Sequence, residues 1–148
     1  MPLFDNAPAL LRRQLEEIQK GNRVKAVVVG NLSPAQLAVI NEERAREGYP
    51  PIIAEVLFLG THIYRSRVIG DGYNTEDVVD QIVSAMSETA QVIANPKMTT
   101  MQNRIPRADR YGNAVCDMVV FECTARHPRP ELYSVIPKGD AKKPKGQP

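Results

Sequence analysis

The sequence predicts an α+β domain in which N-terminal helices pack on one face of an antiparallel β-meander sheet. Three observations carry that expectation. Apolar residues with helical spacing and recognisable start and stop signals dominate the chain up to Met86. Beyond Ala90 the period changes to strand-like alternation broken by turn residues. The run Ala114–Ala125 (AVCDMVVFECTA) is apolar on both faces in its middle, as a strand with neighbours on both sides must be. Helices grouped ahead of an antiparallel meander argue α+β.

Taken in order, Asp5 or Asn6 caps the first helix, Pro8 suits its first turn, and Leu11, Leu15 and Ile18 fall three and four apart. Gly21-Asn22 ends it. Arg23–Gly30 (RVKAVVVG) is a short β-branched strand. Ser33-Pro34 opens a second helix with Leu37 and Ile40 on its apolar stripe; Gly48 stops it, and Tyr49-Pro50-Pro51 turns the chain. Glu55–Leu59 is a compact apolar run that reads as a further strand or a buried lead-in. Gly60–Val68 (GTHIYRSRV) is ambiguous between strand and helix. The Asp71-Gly72 turn and a helix capped by Asn74 or Thr75, with Val78, Val79, Ile82, Val83 and Met86 on one stripe, favour helix–turn–helix across His62–Met86. Ala90–Ala94 and Met98–Gln102 pair as a hairpin around Asn95-Pro96-Lys97. Tyr111-Gly112-Asn113 is turn chemistry. Arg126–Pro130 must turn, and Glu131–Ile136 returns as the last strand.

A chain of 148 residues suits one domain with its own core. That domain is expected over 1–137, with a helical and strand extension at 1–51, a core at 52–137, and a disordered basic tail at 138–148. An apolar fraction of 43% excludes a disordered protein, and 24% charged residues of both signs excludes a collagen-like or low-complexity chain. No apolar run approaches the roughly 18–20 residues of a bilayer span. The opening MPLFDNAPALLRRQLEE is interrupted by charge too soon for a signal peptide. A cytoplasmic location without a membrane partner is therefore expected. Cys116 and Cys123 would point to opposite faces of one strand, so free thiols are expected rather than a disulfide. The net charge of +2 is uneven: Lys138–Pro148 carries +3, leaving the remainder at −1. Lys97, Arg104, Arg107 and Arg110 against Asp109 form a second basic excess. Each basic stretch reads as solvated surface or as phosphate contacts.

Alternation within Ala114–Ala125 puts Cys116, Met118, Val120, Glu122 and Thr124 on one face and Val115, Asp117, Val119, Phe121 and Cys123 on the other. If Ala125 stands opposite Glu131, then Glu122 faces Ser134 and Thr124 faces Leu132. This register makes Glu122, Thr124 and Ser134 either a polar cluster or a solvent-facing strand end. His62 is the other candidate, concentrated with Tyr64, Arg65 and Arg67. Imidazole exchanges protons near neutral pH and guanidinium grips phosphate bidentately. The competing reading has His62 capping or packing the helix start, with the arginines in solvent. His127, between prolines, reads as a surface turn residue. Two histidines and two cysteines far apart have no zinc-site spacing, and no Walker loop, dinucleotide fingerprint or nucleophile elbow is present, so neither a metal nor a cofactor is expected.

The order of GTHIYRSRV, a DGY turn, TEDVVDQIVSAM and a four-stranded meander resembles the small nuclease and toxin domains of the barnase/EndoU/colicin/RelE-like superfamily. The likeness is to the kind encoded by phages and bacterial mobile elements, and it covers roughly Gly60–Lys138. It implies a metal-independent endoribonuclease or toxin-like RNA-cleaving domain, in which a 2′-hydroxyl attacks the adjacent phosphate. That reaction requires a proton acceptor, a proton donor and cations. Under the resemblance, His62 matches the early helical histidine, Arg65 and Arg67 neutralise phosphate, and Glu122, Thr124 and Ser134 hold the sheet positions of polar active-site groups. Under the same resemblance His127 with Lys138 would complete a two-histidine-plus-lysine set; Tyr64, Lys97, Arg104, Arg107, Arg110 and Lys138 are the candidate nucleic-acid contacts. RNA and a cognate inhibitor protein are the implied partners. The alternative is a non-catalytic nucleic-acid-binding or protein-interaction accessory protein.

Overall fold

The computed structural model describes residues 3–87, 90–95, 97–109, 111–123 and 128–139. Helix α1 (Ala7–Gln19) leads to strand β1 (Val27–Asn31), helix α2 (Pro34–Arg46) and strand β2 (Glu55–Phe58). A short α3 (Thr61–Ile63) runs straight into a π-helical stretch (Tyr64–Gly70), followed by α4 (Thr75–Ala85). Then come β3 (Gln91–Ile93), β4 (Met98–Gln102), β5 (Arg107–Ala108), β6 (Ala114–Glu122) and β7 (Glu131–Gly139).

Local chemistry sets the helix ends. Ser33 Oγ accepts from the Gln36 N–H at 3.2 Å while the Gln36 side chain accepts from the Ser33 N–H at 2.8 Å. Asn74 and Asp77 exchange the same pair of bonds at the start of α4. Helix α1 has Asn6 at its cap position without a side-chain bond, and it closes at Gly21, where φ of +83° lets Asn22 N–H reach Glu17 O.

The strands form one sheet in the order β1-β2-β7-β6-β4-β3, with β5 beside the first residues of β6. All pairings are antiparallel except β2 with β7, which meet in parallel at Leu57 and Glu131. Thus β3, β4, β6 and β7 are the expected meander, and the N-terminal third widens it through β1 and β2. The fold is α+β. Helices α1 and α4 cover one face: Leu11, Leu15, Val78 and Ile82 share a single core with Met101, Val119, Phe121 and Val135. Along β6, Val115, Asp117, Val119, Phe121 and Cys123 are buried, whereas Cys116, Met118, Val120 and Glu122 are half-buried on the other face. No helix among the described residues is long and apolar enough to cross a membrane.

The hairpin register differs from the expectation. Glu122 stands opposite Glu131 and Val120 opposite Ser134, so Glu122 does not face Ser134. Two features explain the shift. The chain leaves β6 after Glu122, where Cys123 N–H turns to Lys97 O. Pro128 and Pro130 have no N–H with which to extend the β6 ladder, and their carbonyls instead accept from Ile53 and Leu57 on the β2 side. Thr124, His127 and Arg110 lie outside the described residues. Strand β7 continues to Gly139, past the expected tail boundary, because β6 offers it partners as far as Val115; residues 140–148 lie outside the described residues. Strand β1 begins four residues late: Lys25 O is taken by the Gln14 side-chain amide at 2.9 Å rather than by a strand.

Among the described residues, the charged side chains of Asp117 and Arg44 are fully buried. Asp117, on the helix-covered face, receives a two-point grip from Arg107, whose Nη2 donates to Oδ1 at 2.9 Å. Arg44 of α2 donates from Nε to Pro50 O at 2.8 Å and from Nη1 to Cys123 O, with its guanidinium 5.5 Å from the Tyr49 ring centroid. On the surface, Arg12 of α1 binds Glu76 of α4 and pulls that carboxyl below the usual range.

Removing Arg107 strands a carboxylate at 0% exposure, so Arg107→Ala is expected to cost about 3 kcal/mol in urea unfolding; a change below about 0.5 kcal/mol would contradict the pairing. Both cysteines are free, and burial pushes the Cys123 thiol up to about 11. Ellman's reagent at pH 8 is expected to titrate Cys116 in the native protein and both thiols only in denaturant. Because the folded state keeps the Cys123 proton longer than the unfolded state, this thiol lowers stability as pH rises from 9 to about 11.

Candidate functional site

The site forms where β2 gives way to α3. After Phe58 the chain reverses through Leu59-Gly60, and Gly60 adopts φ +96°. A Cβ there would sit 3.0 Å from two ring carbons of Phe58 and 3.4 Å from Ile18 Cδ1, so glycine is required by both conformation and space. The buried Gln14 amide holds the preceding carbonyl, donating to Leu59 O at 3.3 Å. Tyr64 N–H to Gly60 O at 2.9 Å closes the first helical turn. Ile63 points into the core, and its neighbour His62 is left exposed. The helix packs against β7 and then widens, with Asp71 N–H reaching back five residues to Ser66 O at 3.2 Å.

Between this helix and β7 lies an open cleft of about 250 Å³, lined by Thr61, His62 and Arg65 on one side and Glu131, Leu132 and Tyr133 on the other. The His62 and Tyr133 rings stack with centroids 4.3 Å apart and planes 10° from parallel. His62 Nε2 lies 3.4 Å from Ser66 Oγ. Tyr133 is the extra residue of a β-bulge, since Leu132 pairs with Phe121 and Ser134 with Val120. Three departures from regular backbone thus meet at one cleft: a left-handed glycine, a π-helical turn and a bulge. The residues lining the cleft include an arginine, a histidine and a glutamate.

The candidates from sequence fall in different places. His62 and Arg65 enter the cleft. Arg67 is half-buried in an ion pair with Asp71, and Tyr64 packs against the core. Opposed residues share a face, so Glu122, Glu131, Val120 and Ser134 occupy the sheet face opposite to that of Val119 and Phe121. Of the predicted polar cluster, Glu122 and Ser134 share that face but are offset along the strands, Ser134 is buried, and Thr124 lies outside the described residues. Arg104 bonds Gln91, and Arg107 is engaged by Asp117. Lys97 lies 5.7 Å from the Tyr49 ring centroid. Lys138 stands opposite Cys116, at the far end of β7 from Glu131. Sequence reasoning missed Gly60, Glu131 and Tyr133. The available signal was in ELYSVI, where Leu132 and Val135 are both strongly apolar but three residues apart.

Among the described residues, no group of three His, Cys, Asp or Glu side chains is placed to hold a metal ion. Comparison with protein-family models, curated proteins and solved structures finds no match.

Gly60→Ala is expected to lower stability by about 2 kcal/mol, through strained positive φ and contact with Phe58. An unchanged urea midpoint would show that neither constraint operates.

Proposed function

We propose that this protein is a metal-independent endoribonuclease of the toxin-like kind found on bacterial mobile elements, acting on RNA at the His62 cleft. The observation that supports this reading best is the His62 imidazole stacked flat on Tyr133 in a cleft shared by Arg65 and Glu131. A phosphodiester cleaved by its own 2′-hydroxyl needs a base for that hydroxyl's proton and an acid for the departing 5′-oxygen. It also needs cationic groups beside the negatively charged oxygens of the pentavalent phosphorane. Glu131 and His62 are the two proton carriers, and Arg65 neutralises the non-bridging phosphate oxygens. The 2′-oxygen forms a bond to phosphorus as the 5′-oxygen bond breaks, leaving a 2′,3′-cyclic phosphate and a free 5′-hydroxyl. With Nε2 beside Ser66, Nδ1 is the ring nitrogen assigned to the substrate proton.

Arg107 and Arg104 already have protein partners, which weighs against a docking surface built on the 97–110 segment alone.

The test is cleavage of a fluorescent single-stranded RNA in excess chelator, with product ends identified by mass spectrometry. The expected result is cyclic phosphate termini. His62→Ala is expected to lower the rate about 10²- to 10⁴-fold with an unchanged urea midpoint. Full activity in that variant would remove the mechanism. Salt-dependent binding by the wild type without turnover would favour the accessory-protein reading instead.

A further inference from the structure

We infer that Tyr133 is a positioning residue, whose ring holds the His62 imidazole in one orientation at the mouth of the cleft. This rests on the acid–base role proposed for His62 and extends it to a residue on a different element. His62 is exposed on a short helix, where an unrestrained side chain would exchange among rotamers. Proton transfer requires a group held to within about 10–20° of its productive orientation. The stack supplies that restraint at 4.3 Å and 10°, and the Ser66 hydroxyl touches the ring edge at 3.4 Å.

The backbone explains how a strand tyrosine comes to serve a helix. Leu132 and Val135 are both buried, at 1% and 0% exposure, yet they are three residues apart. A period of two cannot turn both toward the same face. One extra residue must leave the ladder between them, and it is Tyr133. The bulge frees Tyr133 from the ladder register, and its ring lies under the imidazole. Burial of Leu132 and Val135 in the core thereby sets where Tyr133 leaves the ladder.

The experiment compares wild type with Tyr133→Phe, which keeps the ring, and Tyr133→Leu, which keeps apolar bulk without it. The His62 ring resonances, assigned against His62→Gln, are expected to carry an upfield ring-current shift in wild type and the Phe variant and to lose it in the Leu variant. On RNA, Tyr133→Leu is expected to lower kcat about 10²-fold with KM within about twofold, while Tyr133→Phe stays within about threefold of wild type. Resonances unmoved by Tyr133→Leu would overturn the restraint. So would unchanged kcat despite moved resonances, or a Phe variant as impaired as the Leu variant. A wild type that leaves RNA intact would sink the ribonuclease reading and the kinetic role with it, while the resonances would still decide whether Tyr133 holds the ring.

Discussion

The antiparallel pairing of β6 with β7, and the need to bury Leu132 and Val135 on the same side of it, governs most of what this molecule presents. Phe121 packs opposite Leu132 and Val119 opposite Val135, so both pairs feed the single core beneath α1 and α4. Accommodating three-residue spacing in a two-residue period places a bulge at Tyr133, and everything distal to it shifts by one position. Ser134 moves to the face of Val120, and the Tyr133 ring meets His62 on the helix that follows β2. The cleft is a consequence of how the core closes.

The helix is held against that bulge by residues distant in sequence. Gln14, in α1, spans from Lys25 O to Leu59 O, so it ties the approach to β1 to the exit of β2. Gly60 then turns the chain within contact distance of the Phe58 ring. Arg44 performs the equivalent task at the far side, fastening α2 to the end of β6 through Cys123 O. Burying a guanidinium or an amide is costly unless it is hydrogen-bonded, and for Arg44 and Gln14 backbone carbonyls beyond the strand ends accept. The N-terminal third is therefore part of the sheet and of the scaffold behind the cleft.

Charge is divided between architecture and surface. Asp117 sits on the buried face of the central strand, where it demands a cation, and the two-residue strand β5 delivers Arg107 to it. Beside it, burial and the neighbouring Glu76 raise the Asp80 carboxyl above its ordinary range, and Arg107 opposes that rise. Basic residues that look like a nucleic-acid patch in one dimension are in part counter-ions in three. Arg65, by contrast, is exposed at the cleft with His62.

Local signals were sufficient for α1, α2 and α4: Ser33-Pro34 and the Asn74-Thr75 pair announce starts, Gly21 and Gly48 ends, and the stripe from Val78 to Met86 a buried side, whereas Gly60–Val68 stayed open between strand and helix. The face alternation of β6 and the hairpin of β3 with β4 were equally legible, because side-chain period and turn chemistry act over a few residues. The pairing of β2 with β7, the register of Glu122 and the meeting of His62 with Tyr133 were not. Each depends on which of several compatible alignments buries the most apolar surface while satisfying backbone groups across 70 residues or so of chain, and that balance exists only once the whole sheet and its helices have closed on one core.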